Sequence, residues 1–248
     1  MTWKVLTLYI TRDASTFDKN TFTKVLKQVG VKQDVYVISA KPLPIKGNIH
    51  IRVPQSLPVP IRVGLSINMA LRHINITEYT HIFKVDSDVS LPPDYLLNLL
   101  SKRSPLAGRG AALLLSTKFF KEVLGGRYPV KYCDDGYISA LCISRGCWPP
   151  EYTGKGQLHI PVIRQPAREY AYGQEYYMWG LSFPLLVLLS ALLVFTKRKD
   201  LRSVVHNLAG YISAVLRHEK RYPWWRSYRY YRVRHLVNRG LGVVRLLV

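Results

Sequence analysis

Glu78-Tyr79-Thr80-His81-Ile82-Phe83-Lys84-Val85-Asp86-Ser87-Asp88 decides the reading of this chain. Residues 80–85 form a largely apolar run of strand length that ends in two carboxylates one residue apart. Leu91-Pro92-Pro93-Asp94 follows and predicts a helix start, because proline fits a first helical turn. Open α/β sheets hold their ligands beyond the carboxyl ends of their strands, which is where such acids would stand. Asp86 and Asp88 can converge there on one hard cation, Mn2+ or Mg2+, and through it on a diphosphate. An Asp-x-Asp taken alone is also a common solvated turn; the strand before it and the helix after it favour the site.

Outward from that stretch, the hydrophobic periods describe an α/β domain. Residues 5–10 read as a buried strand, and residues 16–29 read as a helix through Phe17, Phe22, Val25, Leu26 and Val29. Residues 34–39 read as a second strand, and strand–helix–strand at this length implies a parallel sheet. Residues 41–60 hold five prolines and read as a long loop with a short strand near 49–53, followed by a helix over 61–74. Beyond the acids, the spacing predicts a helix to about residue 102, a strand at 111–116, a short helix at 118–123 and a helix at 134–145.

The composition changes after about residue 165. Residues 176–196 carry no charge, which predicts a segment long enough to span or enter a bilayer, with Pro184 permitting a bend. Residues 201–217 predict an amphipathic helix with Leu201, Val204, Val205, Leu208, Ile212, Val215 and Leu216 on one face. From Lys220 onward, arginine alternates with Trp224, Trp225, Tyr228, Tyr230 and Tyr231. The expected organisation is a catalytic domain over 1–168 and a basic, membrane-associating helical tail over 169–248.

Lys and Arg number 36 against 15 Asp and Glu, a formal charge of +21. That charge speaks of anionic partners rather than of fold. With the apolar run, it predicts a membrane protein on an anionic surface. Residues 1–4 do not read as a secretory leader, so the catalytic domain is expected on the cytoplasmic face. Cys133, Cys142 and Cys147 form no CxxC pair, so a disulfide framework is not expected and they read as small buried residues.

Ser66-Ile67-Asn68 on a helix, the strand ending in Asp86-Ser87-Asp88, and Pro92-Pro93-Asp94-Tyr95 together resemble the core of family 2 glycosyltransferases, over about residues 4–165. The resemblance implies a GT-A fold, a Rossmann-like nucleotide-diphospho-sugar transferase domain. It also implies that Asp86 and Asp88 hold a divalent metal and the donor diphosphate, with Asn68 standing in the family's helix motif. Residues 108–115, the helix Lys118-Phe119-Phe120-Lys121 and Cys133-Asp134-Asp135-Gly136 look like the family's acceptor half. There the second acid of the pair is the general base, which by position is Asp135, beside Asp134. An acceptor hydroxyl must lose its proton as it attacks an anomeric carbon.

Some positions depart from the family pattern. Ile67 stands where arginine is usual, and Ser39-Ala40-Lys41 lacks the acid that often follows the second strand. The first loop is Ile10-Thr11-Arg12-Asp13, where Thr11 and Asp13 are the candidates for base or ribose contact. A downstream histidine often completes the metal site. His159 is the candidate here, although Arg164 occupies the better-aligned place.

The activity implied is an inverting hexosyltransferase that moves sugar from a nucleotide-diphosphate sugar to a lipid-linked or glycan acceptor. A metal-dependent nucleotidyltransferase is the enzymatic alternative, but residues 10–14 supply no glycine-rich phosphate loop. A membrane-tethered nucleic-acid-binding protein would use the aromatic, arginine-rich tail. It leaves both acid pairs unexplained, and no nucleic acid is expected as a partner.

Overall fold

β1 (Lys4–Thr11) is buried at every position after its first, because it lies inside a sheet and is covered on both faces. The computed structural model to which it belongs describes residues 3–160, 165–196 and 199–246, the last eight through their backbone alone. Arg164 and the Lys197-Arg198 end of the apolar run lie outside the described residues. The chain divides into two compact units, Met1–Ile138 with Pro149–Val162, and Ser139–Trp148 with Ile163–Val248.

In the first unit, β1 passes through α1 (Lys19–Leu26) to β2 (Lys32–Ser39), which pairs with it in parallel. The Asp18 carboxylate caps α1 by accepting from the N–H groups of Asn20 and Thr21. β3 (Asn48–His50) extends the sheet in parallel beyond β2, and α2 (Val59–Leu71) carries the chain across to β4 (His81–Asp86). After α3 (Tyr95–Ser101) come β5 (Leu106–Arg109), β6 (Ala112–Ser116), α4 (Thr117–Glu122) and the start of α5 (Asp134–Ile143), whose residues from Ser139 on count with the second unit. The strand order is β3-β2-β1-β4-β6-β5, with β6 and β5 antiparallel to their neighbours.

β5 is a strand that periodicity did not separate from β6. Four residues with Gly108 among them show no apolar alternation of their own, and the pairing with β6 supplies the order. The core of this unit joins Tyr9, Val37, Phe83, Val85, Tyr95 and Leu114, all buried. The register sets Ile10 opposite Asp86 and Val85 opposite Ala112, so the chain leaves β1 beside the acids at the end of β4.

In the second unit, α6 (Pro166–Met178) packs on α8 (Leu201–Leu216) at glycine contacts. A Cβ at Gly173 would stand 1.9 Å from the Asn207 carbonyl oxygen, and one at Gly210 would stand 2.0 Å from that of Tyr170. Only glycine admits backbones this close. The buried face of α8 is therefore Ser203, Asn207, Gly210 and Ala214 together with Val204 and Tyr211. Most of the apolar face read from sequence, including Leu201, Val205, Ile212 and Leu216, is exposed instead. α7 (Phe183–Phe195) lies between these helices in sequence, and α9 (Trp225–Leu246) follows α8.

The expected membrane localisation is corrected here. Among the described residues no helix is long and apolar enough to cross a membrane. The charge-free run is split between the end of α6, a turn at Gly180 with φ of +86°, and α7. α7 has 13 residues, about 20 Å of helix against a hydrocarbon core of about 30 Å. Pro184 does not bend a long helix; it sits in the first turn of a short one. The GT-A-like domain followed by membrane-spanning helices thus loses its second half as a description of these elements.

Candidate functional site

The site is built where β1 and β4 leave the sheet. Side chains two apart on a strand share a face, so Lys84 and Asp86 project together. Lys84 is 5 % exposed, and its Nζ lies 2.7 Å from both Asp86 carboxylate oxygens, donating a hydrogen bond to Oδ2. Oδ1 is buried and meets only the Lys84 ion pair, with no other hydrogen-bond partner among the described residues. Burial, backed by the charges of Asp88 and Asp135, pushes the Asp86 carboxyl up against the opposing pull of Lys84. Burial works against the Lys84 ammonium, but Asp86, then Asp134 and Asp135, hold it above its ordinary range.

Asp88 is exposed in the loop beyond β4. That loop is braced from β1: Ser87 N–H donates to the Ile10 carbonyl at 2.9 Å, and the Tyr9 hydroxyl donates to the Ser87 carbonyl at 3.2 Å. The β1 exit loop itself is closed by local bonds. Thr11 is buried with its Oγ1 3.0 Å from that of Thr16, and the Asp13 carboxylate accepts from the Ser15 N–H and hydroxyl at 3.0 and 2.6 Å. The Ser15 hydroxyl bond, with Arg12 beside it, holds the Asp13 carboxyl below its ordinary range despite some desolvation.

The second acid pair opens α5. The Tyr128 hydroxyl donates to Asp134 Oδ2 at 2.7 Å, and Tyr128 is itself 3 % exposed. Asp135 Oδ1 accepts from the Gly136 N–H at 2.8 Å, and its Oδ2 lies 3.6 Å from where a Cβ on Gly110 would stand. Burial, and then the Asp135 charge, push the Asp134 carboxyl up to about 6.

Tyr128 is held from α2. Asn68 Nδ2 donates to the Tyr128 carbonyl at 2.8 Å, and Asn68 Oδ1 accepts the Tyr128 N–H at 2.7 Å. One turn earlier, Gly64 lets the same loop approach, since a Cβ there would meet the Pro129 carbonyl at 2.6 Å. The Asn68 amide is thus engaged with backbone, and its effect on the site runs through Tyr128 to Asp134.

The structure brings together Asp86, Lys84, Asp134, Asp135 and Tyr128, with the Thr11–Asp13 loop at the same sheet edge. His159 is exposed and joined to Ser90 by two backbone hydrogen bonds of 3.0 Å. Among the described residues no three His, Cys, Asp or Glu side chains stand together at metal-holding distance. Sequence reading missed Lys84 and Tyr128. A lone lysine two residues before an acid in an apolar strand was a signal for the first. Nothing local marks Tyr128, whose partners lie 60 residues away on α2 and 6 residues on at Asp134.

No family model matches the chain, and no curated protein matches its sequence. Solved structures do share its fold. The mannosyltransferase PcManGT from Pyrobaculum calidifontis, in complex with GDP-Man and Mn2+, superposes at a TM-score of 0.53 with 11 % identity, covering 98 % of this chain and 81 % of that one. TarS 1-349 of S. aureus, in complex with UDP-GlcNAc, superposes at 0.55 with 12 % identity, covering 86 % and 81 %. The same TarS fragment with UDP gives 0.53 at 13 % identity, over 86 % and 81 %. At these identities the likeness is one of fold.

Proposed function

We propose that this protein is a glycosyltransferase of GT-A type that moves a sugar, with inversion, from a nucleotide-diphosphate sugar to a hydroxyl of a glycan or lipid-linked acceptor. The observation that carries the reading is the meeting of two acid pairs at one sheet edge, Asp86 and Asp88 from β4 and Asp134 and Asp135 from α5, with Lys84 between them electrostatically. The shared fold with a mannosyltransferase and TarS supports it.

Asp86 and Asp88 present hard oxygen ligands, and the buried Asp86 Oδ1 has the Lys84 ammonium at 2.7 Å as its one contact, with no hydrogen bond from any other group among the described residues. This fits Mn2+ or Mg2+ as a site completed by donor phosphates and water, since such ions are commonly held by one or two carboxylates plus substrate oxygens. Lys84 already offsets the charge of Asp86, so Asp88 has the larger part in holding the ion. His159 is a candidate further ligand. When bound, the ion supplies positive charge to the departing diphosphate.

The other steps belong to the chain's own residues. Thr11 and Asp13 border the nucleotide side. Asp135, in the first turn of α5, takes the proton of the attacking hydroxyl. Tyr128 fixes Asp134 so that the neighbouring acid keeps one direction.

Titration calorimetry with GDP- and UDP-sugars, with and without Mn2+, followed by a transfer assay on the sugar that binds, tests the reading. Metal-dependent binding of one donor is expected. A chain that binds no nucleotide sugar under either condition would overturn it.

A further inference from the structure

α5 ends in a turn of defined hydrogen bonding. The Gly146 N–H donates to the Ile143 carbonyl at 2.8 Å, and the Cys147 N–H donates to the Cys142 carbonyl at 3.3 Å. Gly146 takes φ of +78°, a left-handed conformation that glycine adopts without strain. These two bonds around a left-handed residue are the Schellman arrangement, which folds the second residue beyond the cap back over the helix's last turn. The two residues it brings together are Cys147 and Cys142.

In such caps the paired side chains usually make an apolar contact; here both are thiols. Their side chains are hydrogen-bonded to each other, and that bond, with burial, pushes the Cys142 thiol up. Cys142 is buried, whereas Cys147 is partly exposed. Cys147 lines a cavity of about 320 Å3 with Trp148, Tyr231 and Arg234, which gives a small reagent a way to the residue.

We infer that Cys142 and Cys147 are an oxidative modification site, a dithiol that a hydroperoxide converts into a disulfide stapling the end of α5. The Cys147 sulfur attacks one peroxide oxygen and the O–O bond breaks. The departing oxygen takes a proton and leaves as water, or as an alcohol from an organic peroxide, and Cys147 becomes a sulfenic acid. The Cys142 sulfur then attacks the Cys147 sulfur, the S–O bond breaks, a water leaves and the S–S bond forms. The two thiols lose two electrons and two protons, and the peroxide takes both. Cys133 takes no part. It stands just before α5, nine residues ahead of Cys142, a separation of about 13 Å at helical rise, where a disulfide needs Cα atoms within about 7 Å. The inference stands whether or not the chain transfers sugar.

The test uses the full chain, purified in reductant, freed of it, and treated with hydrogen peroxide. Remaining thiols are alkylated and the protein is digested with trypsin. Cleavage after Arg145 separates the two cysteines, so peptides 132–145 and 146–155 stay joined only through a disulfide. The expected result is that joined pair, separated by reductant, with fragmentation locating the bond at Cys142 and Cys133 alkylated. Three alkylated cysteines after peroxide treatment, a Cys147 oxidised to its sulfinic acid beside an alkylated Cys142, or a bond to Cys133 would each overturn the inference. As a second measurement, Gly146→Ala strains the left-handed cap and is expected to slow disulfide closure severalfold. Unchanged closure in a folded variant would show that the cap does not bring the thiols together.

Discussion

The two acid pairs are alike in residue type and opposite in provision. Asp86 and Asp88 are set by a strand end, and Asp86 is held by a buried ammonium 2.7 Å away. Asp134 and Asp135 are set by a helix start, and Asp134 is held by a neutral phenol at 2.7 Å. Burial raises both carboxyls, and at Asp86 the Lys84 ammonium opposes that rise. At Asp134 the Tyr128 hydroxyl orients the carboxylate and, with Lys84, opposes the rise caused by burial and the Asp135 charge. The difference is one of partner: under the proposed function, charge binding would fall to the pair held by an ammonium and proton transfer to the pair held by a phenol.

The largest expected effect falls on the first pair. Asp88→Asn should abolish metal-dependent donor binding by calorimetry while circular dichroism shows the fold retained. Undiminished Mn2+-dependent binding would break the assignment. Next, Asp135→Asn should keep donor binding while transfer falls by about 10²-fold or more, measured at saturating donor. If Asp134→Asn loses transfer and Asp135→Asn does not, the roles within the pair are exchanged.

Asn68→Ala sharpens the contrast from a distance. It strips two hydrogen bonds from the Tyr128 backbone, and leaving buried backbone groups unpaired should cost about 1–3 kcal/mol in a denaturant melt. Transfer should fall with donor affinity unchanged, because the loss reaches Asp134 and not Asp88. A fall in donor affinity alone would place Asn68 on the nucleotide instead.

The smallest effect is a pH dependence. The Asp134 carboxyl is raised to about 6, above its unfolded value, so its contribution to stability is present at low pH and is lost as pH rises through about 6. Tyr128, Lys84, Asp135 and Asp86 are the groups it feels. Asp134→Asn should be relatively more stable than the parent above that pH, by about 1–2 kcal/mol after allowance for partial exposure. Thermal melts between pH 4 and pH 7 that run parallel for the two proteins would refute it.

Much of the fold was legible because its signals are local. The strands at 4–11 and 81–86, the helix between the first two strands and the acids at the end of β4 all follow from apolar periods and proline placement. The second acid pair was legible at its helix start. The partners of both pairs were not, since Lys84's direction depends on the strand pleat and Tyr128's on a loop docked against Asn68 and Gly64. β5 was unreadable because its order comes from pairing.

The tail shows the same division most plainly. Sequence marked residues 176–196 as charge-free and 201–217 as an amphipathic helix, because composition and period report hydrophobicity; the structure divides the first run at Gly180 into the end of α6 and α7 and keeps the second as α8. Tertiary structure decided which face is covered. Gly173 and Gly210 let α6 and α8 touch at the backbone, so small and polar residues went inside and Val205, Ile212 and Leu216 stayed out. A hydrophobic stripe ranks faces by their affinity for an apolar surrounding, whereas the closeness of two helices depends on where side chains are missing, and only the partner helix reveals that.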